Sequence, residues 1–228
     1  MTRYRAVIFD LDGTLADSYA AIADALNRAR AAFGLPAVSV RRVRRDVGHG
    51  LEALMARHVG PENVERGVRL FRERYAQIFL EATRPMRGVP EVPRLLAAAG
   101  LRLAVASNKP ARFTGPIVER LGLSGSVRAV LGPDGGIPPK PEPAMLLRAL
   151  DLLGTAPHET VYVGDMALDI RSARAAGLDH LLVPTGGTPL GELVRIPGAR
   201  ILSRLEALPR ALGLNAAPSG AASDLRSR

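Results

Sequence analysis

The sequence predicts an α/β protein whose core is a doubly wound parallel sheet, with an all-helical block inserted after the first strand. Two observations predict it. Apolar runs of strand length recur at 6–9, 101–106, 127–131, 160–163 and 180–183, and helix-periodic segments separate the last four. Residues 17–84 carry no strand signal, so the first strand has no partner until the chain returns from that block. Strands alternating with helices specify parallel pairing, because a parallel crossover needs a connection of helix length.

Ala6 to Phe9 is long enough for a buried strand and too short for an ordinary helix. It ends in Asp10 and Asp12, with Leu11 between them. Strand residues two apart share a face, and Gly13 breaks the strand, letting Asp12 turn over its carboxyl end. Ligands of open α/β sheets sit at that end. Two acids placed there repel each other unless a cation or a shared proton relieves them. The stretch therefore asks for a metal ion whose other ligands come from later strands.

Asp17 or Ser18 caps a helix running to about Phe33, stopped by Gly34 and Pro36. Ala21, Ile22, Ala25, Leu26 and Ala29 recur along it with helical spacing. Further helical pieces cover 40–47, 50–59 and 62–82, and Gly88-Val89-Pro90 marks the return to the sheet. A helix over 91–99 stops at Gly100. Strand 101–106 ends in Ser107-Asn108-Lys109-Pro110, and a helix over 114–121 stops at Gly122. Strand 127–131 leads through a turn-rich stretch, 132–136, to Lys140, which Pro138, Pro139 and Pro141 hold in a stiff, extended backbone. A helix over 144–153 stops at Gly154. Strand 160–163 ends in Gly164-Asp165, and Asp169 precedes a helix over 170–176. After strand 180–183 come a short strand at 200–202 and a last helix over 205–212. The predicted units are a Rossmann-like core (1–16 and 85–214), a helical cap (17–84) and a disordered Ala/Ser/Gly-rich tail (215–228).

Composition narrows the function. A chain of 228 residues, 47% hydrophobic and 23% charged, can bury one sizeable core. No apolar run reaches the length of a membrane span, the N-terminus enters a strand too soon for a signal peptide, and there is no cysteine. A cytoplasmic protein without membrane contact is expected. The net charge of +9 raises nucleic-acid binding. The basic residues are scattered, however, and aromatics at 4% are too sparse for base stacking, so a solvated arginine-rich surface is the simpler reading. Of the 31 basic residues two are lysines, Lys109 and Lys140, both near strand ends. Where a chain this rich in arginine keeps lysine, a compact ammonium is wanted instead of a broad guanidinium.

In a parallel sheet every carboxyl end lies on one edge, so Asp10, Asp12, Ser107, Asn108, Lys140, Asp165 and Asp169 can converge. Clustered carboxylates without thiolate or histidine partners suit Mg²⁺ and argue against zinc. A hydroxyl, an amide and an ammonium suit an oxyanion such as phosphate. Metal plus phosphate indicates phosphoryl transfer. Singly, each residue has a plainer reading: Asp165 caps a helix, Asp169 stands exposed in a first turn, Ser107-Asn108 forms a turn, Lys140 is a solvated surface lysine.

Taken together, Asp10-Leu11-Asp12-Gly13-Thr14-Leu15 with Asp17-Ser18, Ser107-Asn108-Lys109, Lys140-Pro141, and Gly164-Asp165 with Asp169 resemble the motifs of the haloacid-dehalogenase-like hydrolase superfamily. Order and spacing match over residues 5–213, and the helical block lies where that family carries its mobile cap. Within it the chain looks like the phosphoglycolate phosphatase branch, from Asp17-Ser18, Val47-Gly48-His49-Gly50 and overall size. The resemblance implies Mg²⁺-dependent hydrolysis of a small phosphorylated metabolite through an aspartyl-phosphate. Asp10 is the implied nucleophile and Asp12 the implied acid and base. The backbone amides of Leu11 and Asp12, with Ser107, Asn108 and Lys140, hold the phosphoryl group. Asp10, the Asp12 carbonyl and Asp165 hold the metal, and Asp169 supports it from behind.

A phosphomutase of hexose phosphates resembling β-phosphoglucomutase shares these motifs and is the alternative. A signalling receiver domain fits less well, given the second acid, the cap and the length. His49 either reaches the substrate or simply marks a helix start, and Arg44, Arg45, Arg57 and Arg87 are further candidates for anion recognition. Two departures are visible: serine stands at 107 where threonine is common, and Pro85-Met86-Arg87-Gly88-Val89 replaces the usual Tyr-Pro-Gly-Val. A monomer and a homodimer are both compatible with the sequence.

Overall fold

The computed structural model describes residues 2–214; the tail expected to be disordered lies outside them. Five strands form one parallel sheet: β1 (Ala6–Phe9), β4 (Arg102–Ala106), β5 (Val127–Leu131), β6 (Thr160–Gly164) and β7 (Asp179–Leu182), in the order β5-β4-β1-β6-β7. The chain adds β4 and β5 on one side of β1 and then crosses to β6 and β7 on the other. This reversal beside β1 is the topological switch point where such sheets bind ligands. The register puts Phe9 level with Val105 and Val163, so the polar residues that follow three strands reach the same edge.

Alternation along β1 explains its burial on both faces. Val7 and Phe9 pack with Val92 and Leu96 of α5 (Glu91–Ala98) and Ile117 of α6 (Ala111–Arg120). Ala6 and Ile8 pack with Met145 and Leu146 of α7 (Ala144–Leu153) and Ala173 of α8 (Ala167–Ala175). A run apolar at every position is what a central parallel strand requires.

Between β1 and β4 lie α1 (Tyr19–Ala31), α2 (Val40–Asp46), α3 (Leu51–Val59) and α4 (Val64–Ala82). They share a separate apolar cluster built on Ala25, Leu26, Val43, Met55, Phe71 and Tyr75. A two-residue antiparallel ribbon, β2 (Ala16–Asp17) with β3 (Arg84–Pro85), ties the two crossings into this block. Strands that short carry no periodic signal, which is why sequence reading misses them. α4 also rests on the sheet-bearing part. Phe113 of α6 meets Tyr75 and Phe79 edge-on, with ring centroids 5.2 and 5.1 Å away.

Two helix starts and one strand depart from expectation. α6 starts at Ala111, ahead of the expected Thr114, because Asp134 from the loop after β5 accepts from the Ala111 amide. α8 starts at Ala167, ahead of Ile170, because Asp169 reaches back to the Met166 amide. The anticipated strand at 200–202 is reduced to a single parallel bridge, Ile201 to Leu182, and a short helix α9 (Leu190–Leu193) precedes it. Among the described residues no helix is long and apolar enough to cross a membrane.

Candidate active site

Asp10 follows β1, Ser107 follows β4 and Asp165 follows β6, while Lys140 comes from the loop between β5 and α7. A cavity of about 390 Å³ opens above this edge. Asp10, Asp12, Ser107 and Lys140 form its floor, and Ile22, Leu54, Phe71 and Tyr75 of the helical block face them. Asp165 and Asp169 lie fully buried beneath.

Lys140 is the hub of the floor. Its Nζ lies 2.9 Å from Asp10 Oδ1 and donates to Asp169 Oδ1 at 2.8 Å and to the Tyr162 hydroxyl at 2.7 Å. The lysine side chain is 1% exposed. Burial works against its charge, but Asp10 and Asp169 outweigh burial and hold its pKa above the usual lysine value. Asp169 is fully engaged: Oδ1 also accepts from Tyr162, and Oδ2 accepts from the amides of Asp165 and Met166. The plainer reading of an exposed first-turn acid is excluded at this position.

Asp165 is held by Thr14 Oγ1 at 3.0 Å on Oδ1 and by the Gly187 amide at 3.2 Å on Oδ2. Two glycines make room for it. Gly13, at φ +89°, turns the chain where a Cβ would lie 2.8 Å from Asp165 Oδ2. A Cβ on Gly186 would lie 1.5 Å from the same oxygen, an overlap that no rotamer change elsewhere relieves. Gly186→Ala should therefore displace Asp165 and lower the affinity for any divalent cation held there by about tenfold or more, as loss of a metal's supporting contacts does. Calorimetric titration with Mg²⁺ measures this, and unchanged affinity would contradict the packing argument.

The carboxylates fit a divalent cation. One oxygen from each of Asp10, Asp165 and Asp169 falls within a 4.8 Å group. Burial raises Asp10 to about 6; Lys140 opposes the shift and the charge of Asp169 adds to it. Burial, Asp169 and Asp10 push Asp165 well above the usual carboxylate range. Three acids share one nearby lysine, an imbalance that a cation corrects. Each Asp169 oxygen already takes two donors, whereas each Asp165 oxygen takes one and Asp10 Oδ1 takes no hydrogen bond, so Asp10 and Asp165 are the side chains with lone pairs left to face it.

The remaining expected residues divide. Ser107 is 2% exposed, and its hydroxyl accepts from the Lys109 amide. Asn108 lines the cavity with an amide that is already engaged. Nδ2 donates to the carbonyls of Gly48 and Lys140, both at 2.9 Å, and Oδ1 accepts from the Lys140 amide at 2.7 Å. It fastens the Gly48 loop and the Lys140 loop together. Asp12 has one carboxylate oxygen engaged: Oδ1 accepts from Lys109 Nζ at 2.6 Å and from Ser18 Oγ. His49 is exposed at the cavity rim, and α3 begins just beyond it with Gly50 as its cap. Arg44, Arg57 and Arg87 are paired with Asp17, Asp46 and Glu206 respectively. The arginines that line the cavity are Arg72, which pairs with Glu52 at 3.4 Å, and Arg112.

Sequence reading missed Thr14, Tyr162 and the place of Lys109. Thr14 stood within the first motif, and Lys109 stood out as one of two lysines. Tyr162 sits inside a strand, where nothing distinguishes it from a core aromatic.

Known proteins resemble this chain in sequence and in fold. The sequence profile of the haloacid dehalogenase-like hydrolases matches residues 7–183. The chain is 40% identical over 192 residues to the N-acetylmuramic acid 6-phosphate phosphatase of Pseudomonas aeruginosa, covering 81% of this chain and 83% of that one. It is 37% identical over 190 residues to the phosphoglycolate phosphatase of Chromobacterium violaceum, covering 80% and 86%. A crystal structure from Lactobacillus delbrueckii subsp. bulgaricus superposes with a TM-score of 0.87 at 29% identity, over 93% of this chain and 99% of that one. With the profile covering both ends of the sheet and all of the acids converging at one edge, this chain belongs to the haloacid dehalogenase-like hydrolases.

Proposed function

We propose that the protein is a Mg²⁺-dependent phosphatase that hydrolyses a small, carboxylate-bearing phosphomonoester through an aspartyl-phosphate on Asp10. The observation that carries the reading is the convergence of Asp10, Asp12, Ser107 and Lys140 on one cavity floor. Asp10 attacks phosphorus as the ester P–O bond breaks, and Asp12 gives its proton to the departing alkoxide. Asp12 then takes a proton from the water that attacks the phosphoaspartate, which regenerates both acids and releases phosphate. The Ser107 hydroxyl and the amides of Leu11 and Asp12 hold the phosphoryl oxygens, and Lys140 balances their charge beside Asp10. Asp10, Asp165 and the Asp12 carbonyl would hold Mg²⁺, which supplies further charge neutralisation when bound. Asp169 and Tyr162 fix Lys140, and Asn108 fixes the loop that carries it.

Substrate class follows from the upper half of the cavity. N-acetylmuramic acid 6-phosphate and phosphoglycolate, the substrates named for two relatives, both carry a carboxylate, and Arg72, Arg112 and His49 line this cavity. A volume of about 390 Å³ with a wall of Ile22, Leu54, Phe71 and Phe113 leaves room for a sugar ring that glycolate would not fill. N-acetylmuramic acid 6-phosphate is thus the leading substrate. A phosphate-release screen over phosphometabolites, including both acids and the hexose phosphates, tests this. The highest kcat/KM is expected for the muramic acid ester. Isomerisation of a hexose phosphate without net phosphate release would instead identify a mutase.

A further inference from the structure

The proposed reaction leaves one buried cation without a task. Lys109 follows Ser107 and Asn108, its side chain is 8% exposed, and it reaches across the cavity floor to the acid two residues after the nucleophile. Its Nζ donates to Asp12 Oδ1 at 2.6 Å and to Ser18 Oγ at 3.3 Å. Tyr75 of α4 closes the far side, its ring centroid 5.2 Å from Nζ. Each acid of the first motif thus has its own lysine, Lys140 for Asp10 and Lys109 for Asp12, and these are the two lysines of the chain.

A carboxylate has two equivalent oxygens and swings freely about its last bond unless something holds one of them. Here Oδ1 is held twice, by an ammonium and by a hydroxyl. Among the described residues no hydrogen bond is made to Oδ2, and Asp12 lines the cavity. We propose that Lys109 is a positioning residue for the general acid and base: by fixing Asp12 Oδ1 it leaves Oδ2 as the oxygen that meets the leaving group and, later, the water. In this role, which rests on Asp12 being the acid and base, Lys109 does not touch the phosphoryl group. Two of its three donor directions are spent on Asp12 and Ser18 and the Tyr75 ring closes its far side, whereas Lys140 stands beside Asp10. A guanidinium is too wide for a slot closed by Asp12, Ser18 and Tyr75, which accounts for lysine here in a chain that otherwise uses arginine.

Leaving-group dependence separates this role from its rivals. A nitrophenolate departs without protonation, whereas the alkoxide of glycerol phosphate needs an acid. The value of kcat/KM ends at formation of the phosphoenzyme and so reports that step alone. Lys109→Met should lower kcat/KM for glycerol phosphate by about 30-fold or more, toward the full worth of a general acid, and for nitrophenyl phosphate by less than about threefold. Lys109→Arg should not restore the alkyl substrate, and its selective loss carries the same comparison if the methionine variant does not fold. Equal losses on both esters with a raised KM would make Lys109 a phosphate ligand and overturn the proposal. Equal losses with a lowered melting temperature, or full activity in Lys109→Arg, would overturn it as well. If the wild-type protein releases phosphate from no ester of the panel, the phosphatase reading itself falls and this role falls with it. An active wild type with unchanged leaving-group dependence in the variants sinks the positioning role alone.

Discussion

Asp10→Asn is expected to lower phosphate release by at least ~10⁴-fold, the scale on which losing a nucleophile acts in enzymes with covalent intermediates. The amide has nearly the shape of the carboxylate and sits 6% exposed at the end of a strand packed on both faces, so folding should survive. Melting of the metal-free variant should be no lower than that of wild type. The substitution removes one of three clustered acids, and Asp10 is the one raised to about 6 with burial as the main cause. Two measurements are therefore paired: phosphate release from the best substrate, and the melting temperature without metal. Substantial turnover in the variant would remove Asp10 from the nucleophile's place. A large drop in melting temperature would show that the acid serves the fold instead of the reaction.

Mg²⁺ should raise the melting temperature, and by more at pH 8 than at pH 5.5. Asp10 has an ordinary value of 3.8 and about 6 in the fold, and burial pushes Asp165 in the same direction. The metal-free folded state therefore holds protons that the unfolded chain has already released. The stability tied to those protons is fully present below about 3.8 and is lost as pH rises through 6. For Asp10 alone, a shift of that size corresponds to about 3 kcal/mol by pH 8. A cation takes the place of the protons, so its stabilisation is largest where the protons have gone. Scanning calorimetry at the two pH values, with millimolar Mg²⁺ or with chelator, measures the effect. Asp165→Asn should shrink the shift and raise the metal-free melting temperature at pH 8. An equal Mg²⁺ shift in that variant would place the ion elsewhere.

Much of this site was legible because its residues are tied to strand ends. A strand of four buried residues followed by two acids is a local pattern, and a parallel sheet brings every such end to one edge. Asp10, Ser107, Lys140 and Asp165 could be placed together on that ground alone. What could not be read was how the side chains divide the work. Asn108 has the chemistry of a phosphate ligand, yet it spends its amide on Gly48 and Lys140, a choice fixed by two loops far apart in sequence. The early start of α6 depends on Asp134, which lies beyond the following strand. The β2–β3 ribbon consists of two residues per strand, below the length at which alternation can register. Cavity shape is hidden for the same reason, because Phe71, Tyr75 and Phe113 read as core aromatics until their helices are docked.

The scarcity of lysine has a practical side. Both side-chain ammonium groups of the chain stand on the floor of the same cavity, one per acid. Isotopic labelling of lysine alone would give a spectrum with two side-chain signals, each reporting on the reaction centre and none on the rest of the surface. Ligand binding at the site could then be followed without a tag, a mutation or a chromogenic substrate.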